Sequence, residues 1–394
     1  MLQLTARDIR LYRLMAHGLD ARKTKADALE AAGACGLQNT PPGAWETALF
    51  NRVNGLGVAD MNVLLHPGKA LLQAWSFRGA PVVFPSGEGD VFLSALVPQP
   101  GEEWLYTHGI GLALDALGLP FDDLLQLLVQ VMPSLDGDTV HSKAELDQLL
   151  AQRMLPLLPP GSHAAWNSPS MYGQPDRQTV GGAAVSFLLR PCALLGLVVF
   201  GERRDGSPTF TSFKTWMGHP LVPRPDAAQR LVRKFARAYG PTTPRALAAW
   251  LGCSPAQAQR LWGSIRDELE SVITNGKKAY ILSADREILS GPPSPQRTWL
   301  WLGPHDPYLD QRDRDILLPD KALQRKVWQT VANPGVILHE GSIVGTWTAT
   351  KKAGGLSVRA ALWQEVPGAR HAVRVLAEEY AAFRGLEMVA FTLG

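Results

Sequence analysis

Across residues 226–282 the apolar positions recur three times at helical spacing and then twice at strand spacing. Leu231, Val232, Phe235 and Ala238 share one face of a first helix that Gly240 ends. Thr243 stands where an N-cap belongs and Pro244 at the first helical position; Leu247, Trp250 and Leu251 follow, and Gly252 stops the helix. Ser254-Pro255 repeats the device for a third helix bearing Ala258, Leu261, Trp262, Ile265 and Leu269. Val272-Ile273 and Ala279-Tyr280-Ile281-Leu282 then read as strands joined by Asn275-Gly276, with Lys277 and Lys278 beside the turn. Three helices and a basic-tipped hairpin predict a winged helix, an arrangement that most often meets nucleic acid. Its third helix is expected to set Asp267, Glu268 and Glu270 against Arg260 and Arg266, a poor match to phosphate. A structural or protein-contact use of the module therefore stays open.

The same order of helices and hairpin recurs upstream. Thr5-Ala6-Arg7-Asp8 resembles a capping box before Ile9, Leu11, Tyr12 and Leu14, with Gly18 as the stop. Helices are expected near residues 25–34 and around Trp45, Leu49 and Val53, and a short one after Asp60. Residues 72–77 and 82–84 predict a hairpin around Arg78-Gly79-Ala80-Pro81. In the middle of the chain, residues 121–131 form an apolar helix and Ser142-Lys143-Ala144-Glu145 caps another. Residues 156–177 read as irregular and Gly181-Gly182 as a turn. The apolar run 194–200 reads as a buried strand, and 196–201 with 208–214 as a hairpin through Asp205-Gly206.

After the Gly291-Pro292-Pro293-Ser294-Pro295 linker, residues 336–338, 343–350 and 356–362 predict a three-stranded meander. Lys351 and Lys352 lie at its second turn, and a closing helix covers 369–384. The fold class is thus α+β: three tandem winged-helix-like domains, 1–97, 98–220 and 221–290, followed by a small C-terminal β-rich domain, 291–394.

With 46% apolar residues the chain can build a real core in each domain, and a net charge of +3 makes any nucleic-acid surface local. Cys35, Cys192 and Cys253 form no pair motif, which fits a reducing cytosol and argues against disulfides or structural zinc. No signal peptide or bilayer-length run opens the chain, so a cytoplasmic protein without membrane contact is expected. The nine histidines show no paired metal-ligand spacing, and no phosphate-cradling glycine loop or nucleophile elbow is present. What remains are polar groups in loops, suited to catalysis by positioning and electrostatics. No cofactor and no metal are expected.

A succession of short motifs narrows the reading: Gly36-Leu37-Gln38, Ala74-Trp75-Ser76-Phe77-Arg78-Gly79, Gly240-Pro241, Trp250-Leu251-Gly252, Asp306-Pro307-Tyr308-Leu309, Arg312-Asp313-Arg314 and Gly345-Thr346-Trp347. Their order over nearly the whole chain resembles the AlkZ/YcaQ family of bacterial DNA glycosylases. The resemblance implies tandem winged helices with a C-terminal β domain, and excision of cationic N-alkylated purines, crosslinked ones included, from double-stranded DNA. It also implies a catalytic motif of Gln, an apolar residue, then Gln or Asp. Gln38 matches the first position, whereas Asn39 and Thr40 replace the other two. Threonine can hold a water but cannot act as an anion; Glu46 and Asp306 are the acids that could substitute.

The candidate catalytic residues are therefore Gln38, Asn39 and Thr40, and the candidate DNA-binding residues are Arg78, Lys277, Lys278, Arg312, Arg314, Lys351 and Lys352. Arg78 is expected to be exposed at its hairpin tip. Arg312 and Arg314 fit either a phosphate surface or an internal ion-pair network with Asp313 and Asp315. Trp75 and Trp347 are expected in the core, and His305-Asp306 fits an ordered catalytic pair or a surface histidine. Two functions follow: a monomeric DNA glycosylase, or a non-catalytic winged-helix DNA-binding protein that kept the scaffold and lost the motif.

Overall fold

In a computed structural model, which describes residues 2–173, 176–204 and 206–394, Thr5 closes the box predicted for it. Its hydroxyl accepts from the Asp8 N–H at 3.2 Å, and the Asp8 carboxylate accepts from the Thr5 N–H at 3.0 Å. The helix Ala6–Ala16 follows, burying Ile9, Leu11, Tyr12 and Leu14. This helix belongs to the first of two units, made of residues 1–64, 232–250 and 259–394; the second comprises 65–231 and 251–258.

The three helices and two strands predicted at 226–282 form with one change. Helices run over Ala227–Tyr239, Pro244–Leu251 and Pro255–Gly263. The Thr243 hydroxyl accepts from Ala246 and the Ser254 hydroxyl from Gln257, each at 3.2 Å, so both predicted caps are made. Strands Leu269–Thr274 and Lys277–Leu282 pair antiparallel, and Gln3–Leu4 adds a parallel strand to the first. The third helix, however, stops at Gly263; residues 266–268 form a 3-10 turn and Leu269 opens the strand. Leu269 kept helical spacing by coincidence, since it packs as a strand residue. Arg266, Asp267, Glu268 and Glu270 therefore all lie off that helix, which keeps only Arg260 of the charges expected on it.

In the first unit's C-terminal part the predicted meander forms over Gly335–His339, Ser342–Lys352 and Gly355–Leu362. It is the centre of a five-stranded sheet: Trp299–Leu302 pairs with its first strand and Met388–Leu393 runs parallel to its last. The Ala369–Phe383 helix covers one face, where Val373 and Ala377 meet Trp301, Ile337 and Val358. Trp347 is core as expected. Its ring stacks on Trp301 at 4.5 Å, and its indole N–H donates to the Leu302 carbonyl at 2.9 Å.

The second unit is built on the Val180–Leu194 helix, packed with Phe121–Val131 and Lys143–Met154 around Leu124, Leu128, Leu146, Leu150 and Leu188. Gly181 and Gly182 are helical rather than a turn. A Cβ on Gly181 would lie 2.3 Å from the Trp166 indole, so glycine is there for close approach. Residues 194–200 are mostly helix end and loop; only Val199–Phe200 forms a strand, pairing with Phe210–Thr211. The predicted hairpin is correspondingly shorter, Lys214 lies in the helix Phe213–Met217, and Asp205 lies outside the described residues. The stretch read as irregular holds a short helix, His163–Asn167. The hairpin Leu71–Trp75 with Pro81–Pro85 forms as predicted, and Trp75 is buried on Phe210. Among the described residues no helix is long and apolar enough to cross a membrane.

Candidate nucleic-acid site

Gln38 ends a two-residue strand, Leu37–Gln38, and is half-buried; Asn39 is buried and Thr40 exposed. The Asn39 side-chain oxygen accepts from the Gly43 N–H at 2.7 Å. Gly43 has φ +91°, and the Ala44 N–H returns to the Pro41 carbonyl at 3.0 Å. Asn39 thus ties the loop shut, while Gln38 and Thr40 are left at its edges. The amide it satisfies is that of Gly43, the residue that precedes the Ala44–Arg52 helix.

The loop feeds the Ala44–Arg52 helix, whose nine residues are all buried. A helix buried all round needs partners for its polar side chains, and Glu46, Asn51 and Arg52 find them within the first unit. Asn51 donates to the Trp301 carbonyl at 2.8 Å and Arg297 donates to the Asn51 carbonyl at 2.7 Å. Arg52 reaches both Asp306 oxygens at 2.8 Å. Glu46 accepts from Arg384 at 2.6 Å, and its Oε2 lies 3.5 Å from where a Cβ on Gly43 would be. The loop is therefore clamped from behind.

Asp306 is 1% exposed and fully committed to Arg52 and the Tyr308 N–H, so it is no free acid and no partner of His305 in a catalytic pair. Burial alone would lower Arg52, but Asp306 outweighs it and holds the guanidinium above its ordinary value. His17 lies in the same buried layer, its Nδ1 3.8 Å from the Cys35 sulfur and its ring edge-on to Tyr239 and Tyr308. Burial, then the charges of Arg52 and Arg13, push His17 well below the usual histidine range. Burial likewise pushes the Cys35 thiol up to about 12, which suits a packed thiol and not a nucleophile.

The candidate DNA contacts divide by environment. Lys277 and Lys278 are exposed at the start of the strand Lys277–Leu282, and Lys351 and Lys352 are exposed at the last two positions of Ser342–Lys352. Arg312 is exposed. Arg314 lies over the Trp328 ring at 4.5 Å. The flanking aspartates serve other cations: Asp313 takes the buried Arg13 at 2.7 Å, and Asp315 takes Lys321. The internal network exists, but Arg312 and Arg314 are not what Asp313 and Asp315 pair with. Arg78, in the second unit, is half-buried rather than exposed, lies over the Phe77 ring at 5.0 Å and has φ +56°.

Sequence reasoning missed the two arginines that organise the first unit, Arg13 and Arg52. Arg13 also donates to the carbonyls of Tyr239, Gly240 and Pro241 at 2.9, 3.2 and 3.3 Å. Arg13 and Arg52 sit in amphipathic or apolar helices, where an arginine reads as solvated, and their partners lie about 230 to 300 residues away.

The family model described as "DNA glycosylase AlkZ-like" matches residues 31–383, a span that includes the Gln38 loop. A curated protein named "Interstrand DNA cross-link repair glycosylase", from Streptomyces sahachiroi, is 26% identical over 290 residues, 71% of this chain and 70% of the relative. The solved structure of the Streptomyces sahachiroi DNA glycosylase AlkZ aligns with a TM-score of 0.77 at 22% identity, covering 100% of both chains. At that identity the structural likeness speaks for the fold.

Proposed function

Because the chain belongs to the AlkZ-like family of DNA glycosylases, we propose that it excises cationic N-alkylated purines, crosslinked ones included, from duplex DNA by hydrolysing the N-glycosidic bond. One observation carries the reading: a half-buried glutamine on a loop clamped by a fully buried helix, within the span the family model matches. A base alkylated at N7 already carries positive charge. When its bond to C1′ breaks, the bonding electrons pass to the base nitrogen and neutralise that charge. Positive charge then builds on the sugar, and a water oxygen bonds to C1′ as its proton leaves to solvent. The protein's task is to place that water and favour the sugar cation. The Gln38 carboxamide is the positioning group in this reading and the Thr40 hydroxyl a second hydrogen-bond site, with Asn39 holding the loop. Glu46, next to Gly43 and paired with Arg384, supplies a negative charge behind the loop.

The phosphate contacts in this proposal are Arg78, Lys277, Lys278, Lys351, Lys352, Arg312 and Arg314. We read the helical part as three tandem winged-helix-like modules, 1–97, 98–220 and 221–290, before a β-rich module at 291–394; helices followed by a hairpin recur in each helical part. A cytosolic monomer acting without metal or cofactor completes the proposal. A non-catalytic DNA-binding protein is the second reading, favoured by the loss of any carboxylate or second carboxamide at Thr40. The test is release of free base from a duplex carrying N7-methylguanine: release supports the first reading, and salt-sensitive binding without release supports the second.

A further inference from the structure

A groove of about 590 Å³ opens between the Pro255–Gly263 helix and the wing, lined by Gln259, Trp262, Arg266, Ser271, Lys278 and Tyr280, among others. It lies wholly within the first unit. Its floor is aromatic: Trp262 is buried and meets Tyr280 edge-on at 5.8 Å. Its rim is cationic. Arg266 and Lys278 are exposed, and neither has a carboxylate partner among the described residues. Lys278 lies over the Tyr280 ring at 5.3 Å.

Two acids of this segment are paired elsewhere, and Asp267, exposed beside Arg266, is not among the residues that line the groove. Glu268 takes a two-pronged bond from Arg233 at 2.7 and 2.8 Å, and Glu270 is bound by Arg286. Strand alternation explains the sorting, because Leu269 and Ser271 line the groove while Glu270 between them points to the opposite face. Pairing Glu268 and Glu270 elsewhere leaves Arg266 and Lys278 unneutralised beside two neutral donors, Gln259 and Ser271. An aromatic floor with a cationic, acid-free rim matches a sugar and its phosphate.

We propose that this groove holds a phosphodiester segment of a DNA strand, with phosphate between Arg266 and Lys278 and deoxyribose against Tyr280. The site is separate from the Gln38 loop and rests on the DNA-glycosylase reading above only for its DNA ligand. Phosphate and sugar are common to every nucleotide, so the groove anchors DNA without reading sequence.

The experiment uses the full chain and two fluorescein-labelled probes, a 20-base-pair duplex and a 20-residue oligothymidylate. Binding is titrated across salt for wild type, the double variant R266Q/K278Q and the charge-keeping R266K/K278R. Both side chains are exposed, so neither variant disturbs the core. The slope of log K against log salt falls by roughly 0.9 on the duplex, or roughly 0.7 on the single strand, in R266Q/K278Q and is kept in R266K/K278R, because one phosphate loses its cations. A loss on either probe supports the groove and identifies which form of DNA enters it; an unchanged slope on both overturns it. Base release is measured on the same preparations. Release with an unchanged slope rejects the groove alone, and a lost slope without base release rejects the glycosylase reading alone.

Discussion

Arg52 and Asp306 meet through two charge-assisted hydrogen bonds of 2.8 Å, with side chains 1% and 0% exposed. Such a pair stabilises little over an apolar one of equal size, but removing one member leaves an uncompensated buried charge. Asp306→Ala is expected to cost about 3–5 kcal/mol in urea unfolding. The double change Arg52→Met with Asp306→Leu is expected to recover a substantial part, because no charge is then stranded. A single-variant loss under about 1 kcal/mol, the size of a surface pair, would contradict the account.

His17 makes a pH prediction whose sign follows from its environment. Burial, Arg52 and Arg13 hold its folded pKa well below the ordinary histidine value of about 6.5, so the folded state keeps it neutral where the unfolded state binds a proton. Its contribution is present in full above about pH 6.5 and is lost as pH falls below that, by up to about 1.4 kcal/mol per pH unit. Urea midpoints of wild type and His17→Leu at pH 5 and pH 7.5 check this. The wild type loses more stability on acidification than the variant; parallel behaviour would refute the assignment.

The three thiols are expected to react in order of exposure. Cys35 and Cys192 are buried and Cys253 is half-buried, and burial raises both Cys35 and Cys192. Thiol-reactive dye should label Cys253 in native protein and all three only after denaturation. Fast native labelling of Cys35 would show the layer around His17 to be open.

Lys351 and Lys352 close a long strand and stay exposed, which suits a hairpin that probes a groove. Each change to Gln should lower the salt slope of duplex binding by roughly 0.9. A slope indifferent to both changes would remove them from the interface.

How much of this was legible depended on how local the cause was. The caps at Thr5, Thr243 and Ser254 were readable because cap and capped amide lie within three residues. Trp299–Leu302 was missed because four apolar residues between a proline-rich linker and Gly303-Pro304 carry no period. Met388–Leu393 was missed because its partner Leu356–Ala360 comes before an intervening helix. Gly181 read as a turn because glycine signals backbone freedom, and only the Trp166 indole against it explains a glycine inside a helix. The over-long third helix came from Leu269, which fits both periods. At the site, Gln38 came from a motif, whereas the clamp of Arg52, Asp306, Asn51 and Arg384 is long-range and left no trace in local pattern.

The most direct test of the central claim is release of N7-methylguanine from a methylated duplex by wild type and by Gln38→Ala, at protein concentrations that saturate the duplex. The account predicts base release by wild type and a rate lower by at least about a hundredfold in Gln38→Ala, with duplex affinity unchanged. Wild type that binds duplex and releases no base, or Gln38→Ala that releases base at the wild-type rate, would contradict it.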